Sequence, residues 1–145
     1  MKISKPCCLG LVTAAALLAL PASAATIRLT NERGGGLSQH ILRYQRLAAS
    51  GNQVVLERIC QSSCTIILGI IPRERLCATP GTVFRFHAAH YNSRDGTRTQ
   101  NDSFTAAMAQ YWPANVKAWV ARHNATATLA FTNATPGELG VRICR

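Results

Sequence analysis

The sequence predicts a small single domain of the α/β class, and three observations support that class. The chain has 145 residues, which suits one domain of ordinary size. Its composition is 48% hydrophobic and only 15% charged, so it can bury enough apolar surface to fold. Strand-like and helix-like segments alternate along the chain with short connections, which is typical of α/β folds. No internal repeat or linker divides the chain, so we expect one folded unit.

The first 24 residues have the three parts of a secretory signal peptide. Lys2 and Lys5 precede an uncharged stretch over residues 7–20, and Ala22-Ser23-Ala24 fits the small-residue cleavage rule. We therefore predict a signal peptide over residues 1–24 and an α/β domain over residues 25–145, located in the periplasm or secreted. No cysteine stands at the predicted cut, so no lipid anchor is indicated. After cleavage no transmembrane anchor is expected.

Basic residues dominate the charge of the chain. Sixteen Lys and Arg stand against six Asp and Glu, which gives a formal net charge of +10. Removing residues 1–24 takes away Lys2 and Lys5 and leaves 121 residues with a charge of +8. The arginines are scattered along the chain, so no specific nucleic-acid site is indicated. The partner that charge alone suggests is an anionic surface of the cell envelope.

The elements follow from hydrophobic periodicity and from turn residues. Alternating apolar residues predict a strand over 25–30, which ends before three consecutive glycines, Gly34 to Gly36. Apolar residues at helical spacing then predict a helix from Leu37 to Ala48. Further elements are predicted as a strand at 54–56, a helix over 65–71, a strand over 83–86, a surface loop over 92–102 and a helix over 104–120. For residues 65–71 the period alone does not exclude a strand. We expect Asp102 or Ser103 to cap that last helix and Pro113 to kink it.

Four cysteines remain after the predicted cleavage: Cys60, Cys64, Cys77 and Cys144. An even number of cysteines in a small exported domain predicts two disulfides, for which three pairings are possible. We expect Cys77 to pair with Cys144, which would tie the C-terminus to the core, and Cys60 to pair with Cys64. Zinc binding is the alternative, but the spacing lacks the paired close knuckles of a structural zinc site. We expect no metal and no cofactor.

Three features that can carry chemistry fall at predicted strand ends, where α/β folds place their sites. They are the glycine turn, the Ser62-Ser63 pair and His87. A glycine turn exposes backbone N–H groups, a serine at a strand-to-helix turn presents its hydroxyl, and a histidine can accept that hydroxyl's proton. Together these are the parts of an acyl-transfer site. The GxSxG elbow of α/β-hydrolases is absent, so another scaffold is needed.

The order of these segments resembles the ClpP/crotonase superfamily, and in particular its small exported ClpP-like periplasmic members. The similarity covers about residues 27–90, through the segments Asn31-Glu32-Arg33-Gly34-Gly35, Val54-Val55-Leu56, Cys60-Gln61-Ser62-Ser63-Cys64-Thr65 and Phe86-His87. The resemblance implies a ClpP/crotonase-like core of repeated ββα units.

The same resemblance implies the roles of the site residues. Ser62 would be the nucleophile. Ser63 stands where relatives usually carry alanine, so the two serines can be confused, and Ser63 is the second choice. His87 would be the general base. The oxyanion hole would be formed by the N–H groups of Gly35, or Gly34, and of Ser63.

The third member of the implied triad departs from the family pattern. Where the peptidases carry an acid, residues 131–138 of this chain contain no aspartate. Asn133 and Glu138 are the candidates to orient His87, although Glu138 could instead serve as a cap. A triad without its orienting group loses several orders of magnitude in rate.

Two functions follow from these residues. The first is an exported ClpP-like serine hydrolase or peptidase-like protein that acts on a peptide or another acyl substrate, weak or inactive if the orienting group is missing. The alternative is a pseudoenzyme, a basic periplasmic protein that binds anionic envelope components without catalysis. Labelling by a serine-directed fluorophosphonate distinguishes the two.

Overall fold

A five-stranded, mostly parallel sheet forms the centre of the molecule, which is a computed structural model described for residues 24–145. The predicted signal peptide lies outside the described residues apart from Ala24. The strands of this sheet are β1 (Thr26–Glu32), β2 (Gln53–Gln61), β3 (Leu76–Ala78), β4 (Val83–Phe86) and β7 (Thr132–Ala134), while β5 (His90–Asn92) and β6 (Arg98–Gln100) form a separate hairpin.

Within residues 24–145, four α-helices accompany the sheet. They are α1 (Leu37–Ala49), α2 (Ile67–Ile70), α3 (Asp102–Ala109) and α4 (Ala114–Arg122), and short 3-10 helices span Ser62–Ile66 and Arg73–Arg75. This mixed α/β architecture in one small domain confirms the coarse fold class. A core of repeated ββα units of the ClpP type stays a prediction.

β1, α1 and β2 form a parallel crossover unit, and their order of strand, glycine turn, helix and strand is the predicted one. β1 runs parallel to β2, from Thr26 opposite Gln53 to Glu32 opposite Cys60. Parallel neighbours need a long connection, and α1 supplies it. The helix buries Tyr44 completely against the core. The glycine turn between β1 and α1 therefore lies at the carboxyl end of β1, beside the end of β2.

β2 changes its neighbour halfway along its length. Its first half, from Val54 to Leu56, pairs with β3, and its last three residues, from Ile59, pair with β4. Between the two halves the register against β1 shifts by one residue, and Arg58 has a φ of +65°. An extra residue of this kind is a β-bulge, which bends a strand and re-aims the residues beyond it. The bulge therefore sets the direction of the last residues of β2, which lead directly to Ser62.

The helical segment after β2 is packed against the chain between α3 and α4. It begins as the 3-10 helix at Ser62 and continues as α2 to Ile70, so the predicted helix is confirmed with an earlier start. A β-carbon on Gly69 would stand 1.7 Å from the Tyr111 carbonyl oxygen. Only glycine permits this close approach of the two backbones.

Three predictions for residues 92–120 are corrected. The polar segment predicted as a loop forms the β5–β6 hairpin, because two short antiparallel strands need no apolar pattern to pair. The cap of α3 is Asn101, whose side-chain oxygen accepts the Phe104 N–H at 3.0 Å, so neither Asp102 nor Ser103 serves. Pro113 separates α3 from α4 rather than kinking one helix, since it has no N–H to continue the first.

Both predicted disulfides are confirmed. Cys60 pairs with Cys64, and Cys77 pairs with Cys144, with Cα–Cα distances of 5.3 and 5.1 Å. The second bond joins the C-terminal segment to β3, where the Cys144 N–H also donates to the Ala78 carbonyl. All four sulfurs are used in disulfides, which excludes the zinc alternative for these cysteines. Two disulfides fit an oxidising compartment.

Aromatic packing fixes the end of β4. The rings of Trp112 and Trp119 each lie 5.4 Å from the Phe86 ring, measured between centroids, and all three side chains are buried. His87 follows Phe86 directly and is held in place by this contact. No helix in residues 24–145 combines the length and apolar character that crossing a membrane requires.

Candidate active site

Strand register brings Ser62 and His87 to the same end of the sheet. β2 and β4 are parallel, with Cys60 opposite Phe84 and Gln61 opposite Arg85. Ser62 is the next residue after β2, and His87 is the next after β4. Neighbouring strands are about 4.8 Å apart. The two residues therefore leave adjacent strands at adjacent points.

Ser62 stands on a strained turn. Its φ is +55°, a left-handed conformation that is rare for a residue with a side chain, and it joins an extended strand to a helix. The Cys60–Cys64 disulfide spans the turn on both sides. Strained residues of this kind persist only where the surroundings impose them, and they cluster at functional sites. Ser62 as a residue is only half-buried, so part of it is exposed to solvent.

Two buried hydrogen bonds stabilise the turn at Ser62. The Thr65 hydroxyl donates to the Ser62 carbonyl at 2.8 Å and accepts the Trp112 indole N–H at 3.0 Å. Trp112 in turn packs on Phe86, the residue before His87. The ends of β2 and β4 are thus connected through one side-chain network.

Ser63 differs from Ser62 in its surroundings. Ser63 is buried, and its hydroxyl donates to the Gly35 carbonyl at 2.9 Å. This hydroxyl is committed to the backbone of the glycine turn. The burial of Ser63 and its bond to the Gly35 carbonyl favour Ser62, rather than Ser63, as the serine that a reagent can reach.

The glycine turn lies directly against the serine turn. Gly34 has a φ of +80°, and a β-carbon there would stand 2.8 Å from the Ser62 Cβ and 3.3 Å from the Ser63 nitrogen. The Gln61 side-chain amide also donates to the Arg33 carbonyl at 3.1 Å. The segments that carry Gly34, Gly35 and Ser63 are therefore neighbours, as an oxyanion hole built from their N–H groups would require.

His87 is buried and surrounded by rings. Only 3% of the residue is exposed, and the Phe131 ring meets its imidazole edge-on with centroids 4.9 Å apart. The His90 ring lies on another side at 5.5 Å. Burial is the main cause that lowers the pKa of His87 below its ordinary value. The imidazole is thus neutral at neutral pH, which is the form a general base needs.

The Nδ1 side of the His87 imidazole has no orienting partner within residues 24–145, although the ring also interacts with the backbone of Ala88. Its Nδ1 atom is buried without a hydrogen bond, and no described hydrogen bond joins His87 to Ser62. Asn133 lies opposite Arg85 in the antiparallel pair of β4 and β7, two residues from the position beside His87. The Glu138 carboxylate accepts hydrogen bonds from the Thr135 N–H and hydroxyl, so it closes a local turn.

Three further residues lie around His87, and none of them was predicted as a site residue from the sequence. They are Phe131, His90 and Arg85. Phe131 contacts His87 because β7 runs antiparallel to β4, a pairing that the C-terminal sequence does not indicate. The spacing of His87 and His90 was the signal available for His90. Within residues 24–145 no group of three or more His, Cys, Asp or Glu side chains is placed to hold a metal ion.

No protein-family model matches this sequence, and no curated protein is significantly similar to it. The class of the protein therefore follows from its own fold and site: a disulfide-bonded, mixed α/β domain that carries a serine and a histidine at adjacent strand ends. Membership of the ClpP/crotonase superfamily stays a prediction.

Proposed function

We propose that this protein is an exported, ClpP-like serine hydrolase that cleaves an acyl bond, in a peptide or another acyl substrate, with Ser62 as nucleophile and His87 as general base. The observation that carries the proposal is the strained conformation of Ser62, with φ at +55°, on a strand-to-helix turn beside the strand that ends at His87. A serine on such a turn exposes its hydroxyl above the sheet, as nucleophile elbows do.

The proposed reaction uses only residues of this chain. His87 takes the proton of the Ser62 hydroxyl as its oxygen bonds to the acyl carbon, and gives it to the leaving group as the bond to that group breaks. A water molecule, which gives its proton to His87, then attacks the acyl-Ser62 ester, and the proton returns to the Ser62 oxygen as the acid is released. The N–H groups of Ser63 and Gly35, or Gly34, receive the negative charge that develops on the acyl oxygen. The absence of a Ser62–His87 hydrogen bond is compatible with this role, because catalytic hydrogen bonds are often long until substrate binds.

One observation favours the alternative of a non-catalytic binding protein. The Nδ1 atom of His87 has no partner within the described residues, so no carboxylate or amide orients the imidazole from that side. An unoriented base lowers the rate by several orders of magnitude. In that case the site would bind ligands without turnover, and the net charge of +8 would direct the protein to anionic envelope components.

A fluorophosphonate probe separates the two functions. We expect the wild-type protein to form one covalent adduct, located by peptide mass spectrometry at Ser62. Ser62→Ala and His87→Ala should each abolish labelling, and the double variant should be no worse than either, because the two residues act as a unit. Ser38→Ala, at an exposed serine of α1, is the matched control and should label like wild type.

The possible results divide cleanly. Labelling that survives in Ser62→Ala and disappears in Ser63→Ala would move the nucleophile to Ser63. Labelling that survives both substitutions would overturn the site assignment. A complete absence of adduct, together with salt-sensitive binding of a polyanion, would support the binding protein.

A further inference from the structure

Arg85, on β4, places a positive charge near His87. The guanidinium carbon of Arg85 lies over the Phe131 ring, 5.8 Å from its centroid, and the same ring contacts His87. The Nε atom of Arg85 is buried and has no hydrogen-bond partner within residues 24–145. A buried donor without an acceptor is costly, so a ligand that supplied one would bind favourably there.

A second arginine approaches His87 from the β5–β6 hairpin. Arg98 stands directly opposite Asn92, and Asn92 is two residues from His90. Residues two apart in a strand, and residues directly opposite across a pair, share one face. Arg98 therefore lies on the face of the hairpin that carries His90, whose ring contacts that of His87. Burial is the main cause of the lowered His87 pKa; a hydrogen bond with the Ala88 backbone opposes it, and the nearby His90 and Arg98 lower the pKa further.

Most carboxylates of the chain accept hydrogen bonds from groups other than Arg85 and Arg98, and the nearest to the hairpin face, Asp102, is bonded to Gln100, the residue opposite His90. All six lie within the described residues, and five of them accept hydrogen bonds: Glu32 from Arg43, Glu57 from Arg28, Asp95 from Thr97, Asp102 from Gln100 and Glu138 from Thr135. The sixth, Glu74, precedes β3 and so lies at the opposite end of the parallel sheet. No ion pair within residues 24–145 neutralises Arg85 or Arg98.

We propose that Arg85 and Arg98 form a binding subsite for a carboxylate of the acyl substrate, beside His87; the identification of that ligand as a substrate rests on the proposed function. A guanidinium group matches the planar, two-oxygen geometry of a carboxylate. Asn133 lies opposite Arg85 on the same face of the sheet and adds an amide donor. The substrate is thus an acidic acyl compound, its carboxylate being either an acidic side chain or a free peptide C-terminus.

Binding is tested first without reference to hydrolysis. Succinate is titrated into the oxidised wild-type protein while NMR follows the His87 imidazole, with uncharged succinamide as the matched probe. We expect saturable, salt-sensitive shifts with succinate only. Arg85→Gln and Arg98→Gln should each weaken succinate binding about ten-fold, which corresponds to the loss of one charge-assisted contact. Arg46→Gln, an exposed arginine in the last turn of α1, should leave it unchanged.

Hydrolysis is tested with a matched pair of esters, p-nitrophenyl hemisuccinate and p-nitrophenyl butyrate. We expect kcat/KM to favour the hemisuccinate, and Arg85→Gln to reduce that preference about ten-fold. Succinate binding that depends on both arginines, without turnover of either ester, would support the subsite and contradict the hydrolase. Turnover without preference, together with no selective succinate binding, would overturn the subsite and leave the hydrolase standing.

The source of the carboxylate is distinguished with two peptides of equal length. One carries a single glutamate and an amidated C-terminus, and the other has no acidic side chain but a free C-terminus. Stronger, Arg85-dependent binding of the first to Ser62→Ala protein assigns the subsite to an acidic side chain, and stronger binding of the second assigns it to a C-terminus. Equal binding of both peptides that does not respond to Arg85→Gln would overturn the proposal.

Discussion

Gly34 lies in direct contact with Ser62: a β-carbon on the glycine would stand 2.8 Å from the Ser62 Cβ. The same β-carbon would lie 2.7 Å from the carbonyl oxygen of Gln61, which is backbone and cannot swing away. The glycine turn and the serine turn are therefore built as one unit, although 28 residues separate the two in sequence. Any side chain at position 34 must displace one of the two turns.

We expect Gly34→Ala to lower the free energy of unfolding by at least about 2 kcal/mol, because alanine at a φ of +80° is strained and its methyl group meets the serine turn. Fluorophosphonate labelling of Ser62 should fall with it. Gly81→Ala is the control, since a β-carbon there meets nothing within 4 Å and the φ is not left-handed. A Gly34→Ala protein as stable as Gly81→Ala would contradict the close contact.

Substitutions at Ser62 should reveal its backbone strain. At a φ of +55°, Ser62→Gly should be more stable than Ser62→Ala by about 1 kcal/mol, because glycine alone adopts this conformation without strain. At Ser38, inside the first turn of α1, the order should reverse, since alanine is the better helix former. Urea unfolding of the four variants measures both differences. A Ser62→Ala protein at least as stable as Ser62→Gly would mean that Ser62 is not strained.

The buried hydroxyl of Thr65 should position the serine turn. Thr65→Val keeps the shape but removes the bonds to the Ser62 carbonyl and to the Trp112 indole, which leaves the buried indole N–H without a partner. We expect a loss of about 1–3 kcal/mol in unfolding free energy and slower labelling of Ser62. Thr65→Ser retains the hydroxyl and should restore the labelling rate. Equal labelling by Thr65→Val and wild type would show that this network does not position Ser62.

Removing the two disulfides one at a time should affect stability and the geometry of the site differently. Replacing Cys77 and Cys144 by alanine opens a separation of 67 residues, and the chain-entropy model gives about 4 kcal/mol for such a loop. Replacing Cys60 and Cys64 opens a separation of only 4 residues, worth about 2 kcal/mol in the same model. Because that short loop contains Ser62, we expect the Cys60/Cys64 variant to lose more labelling and the Cys77/Cys144 variant to lose more stability. The reverse ranking would contradict this division.

The burial of His87 predicts a pH dependence of stability. Burial lowers its pKa below the ordinary 6.5, so between the folded pKa and about 6.5 the unfolded chain binds more protons than the folded chain. The stabilising contribution of neutral His87 is complete above about pH 6.5 and is lost as the pH falls towards the folded pKa. His87→Gln should remove this part of the pH dependence. NMR titration of the imidazole checks the cause directly, and a midpoint at or above 6.5 would contradict it.

Most local elements of this protein could be predicted from the pattern of its residues. Periodicity predicted β1, α1 and β4 close to their observed bounds, because each buries one face and its pattern is visible within a few residues. The even number of cysteines in an exported domain predicted two disulfides, and both pairings are as expected. The serine pair, the glycine turn and His87 were recognisable as residues at strand ends.

How those elements meet depends on long-range packing and could not be predicted from local patterns. Arg58, at the bulge, and Ser62 both have a positive φ, which neither residue type favours. Local propensity therefore does not predict either conformation. The contacts of Phe131 and Arg85 with the surroundings of His87 depend on the pairing of β7 with β4, between residues about 50 positions apart. Local patterns record which face of an element is buried, whereas long-range packing determines which side chains share a site.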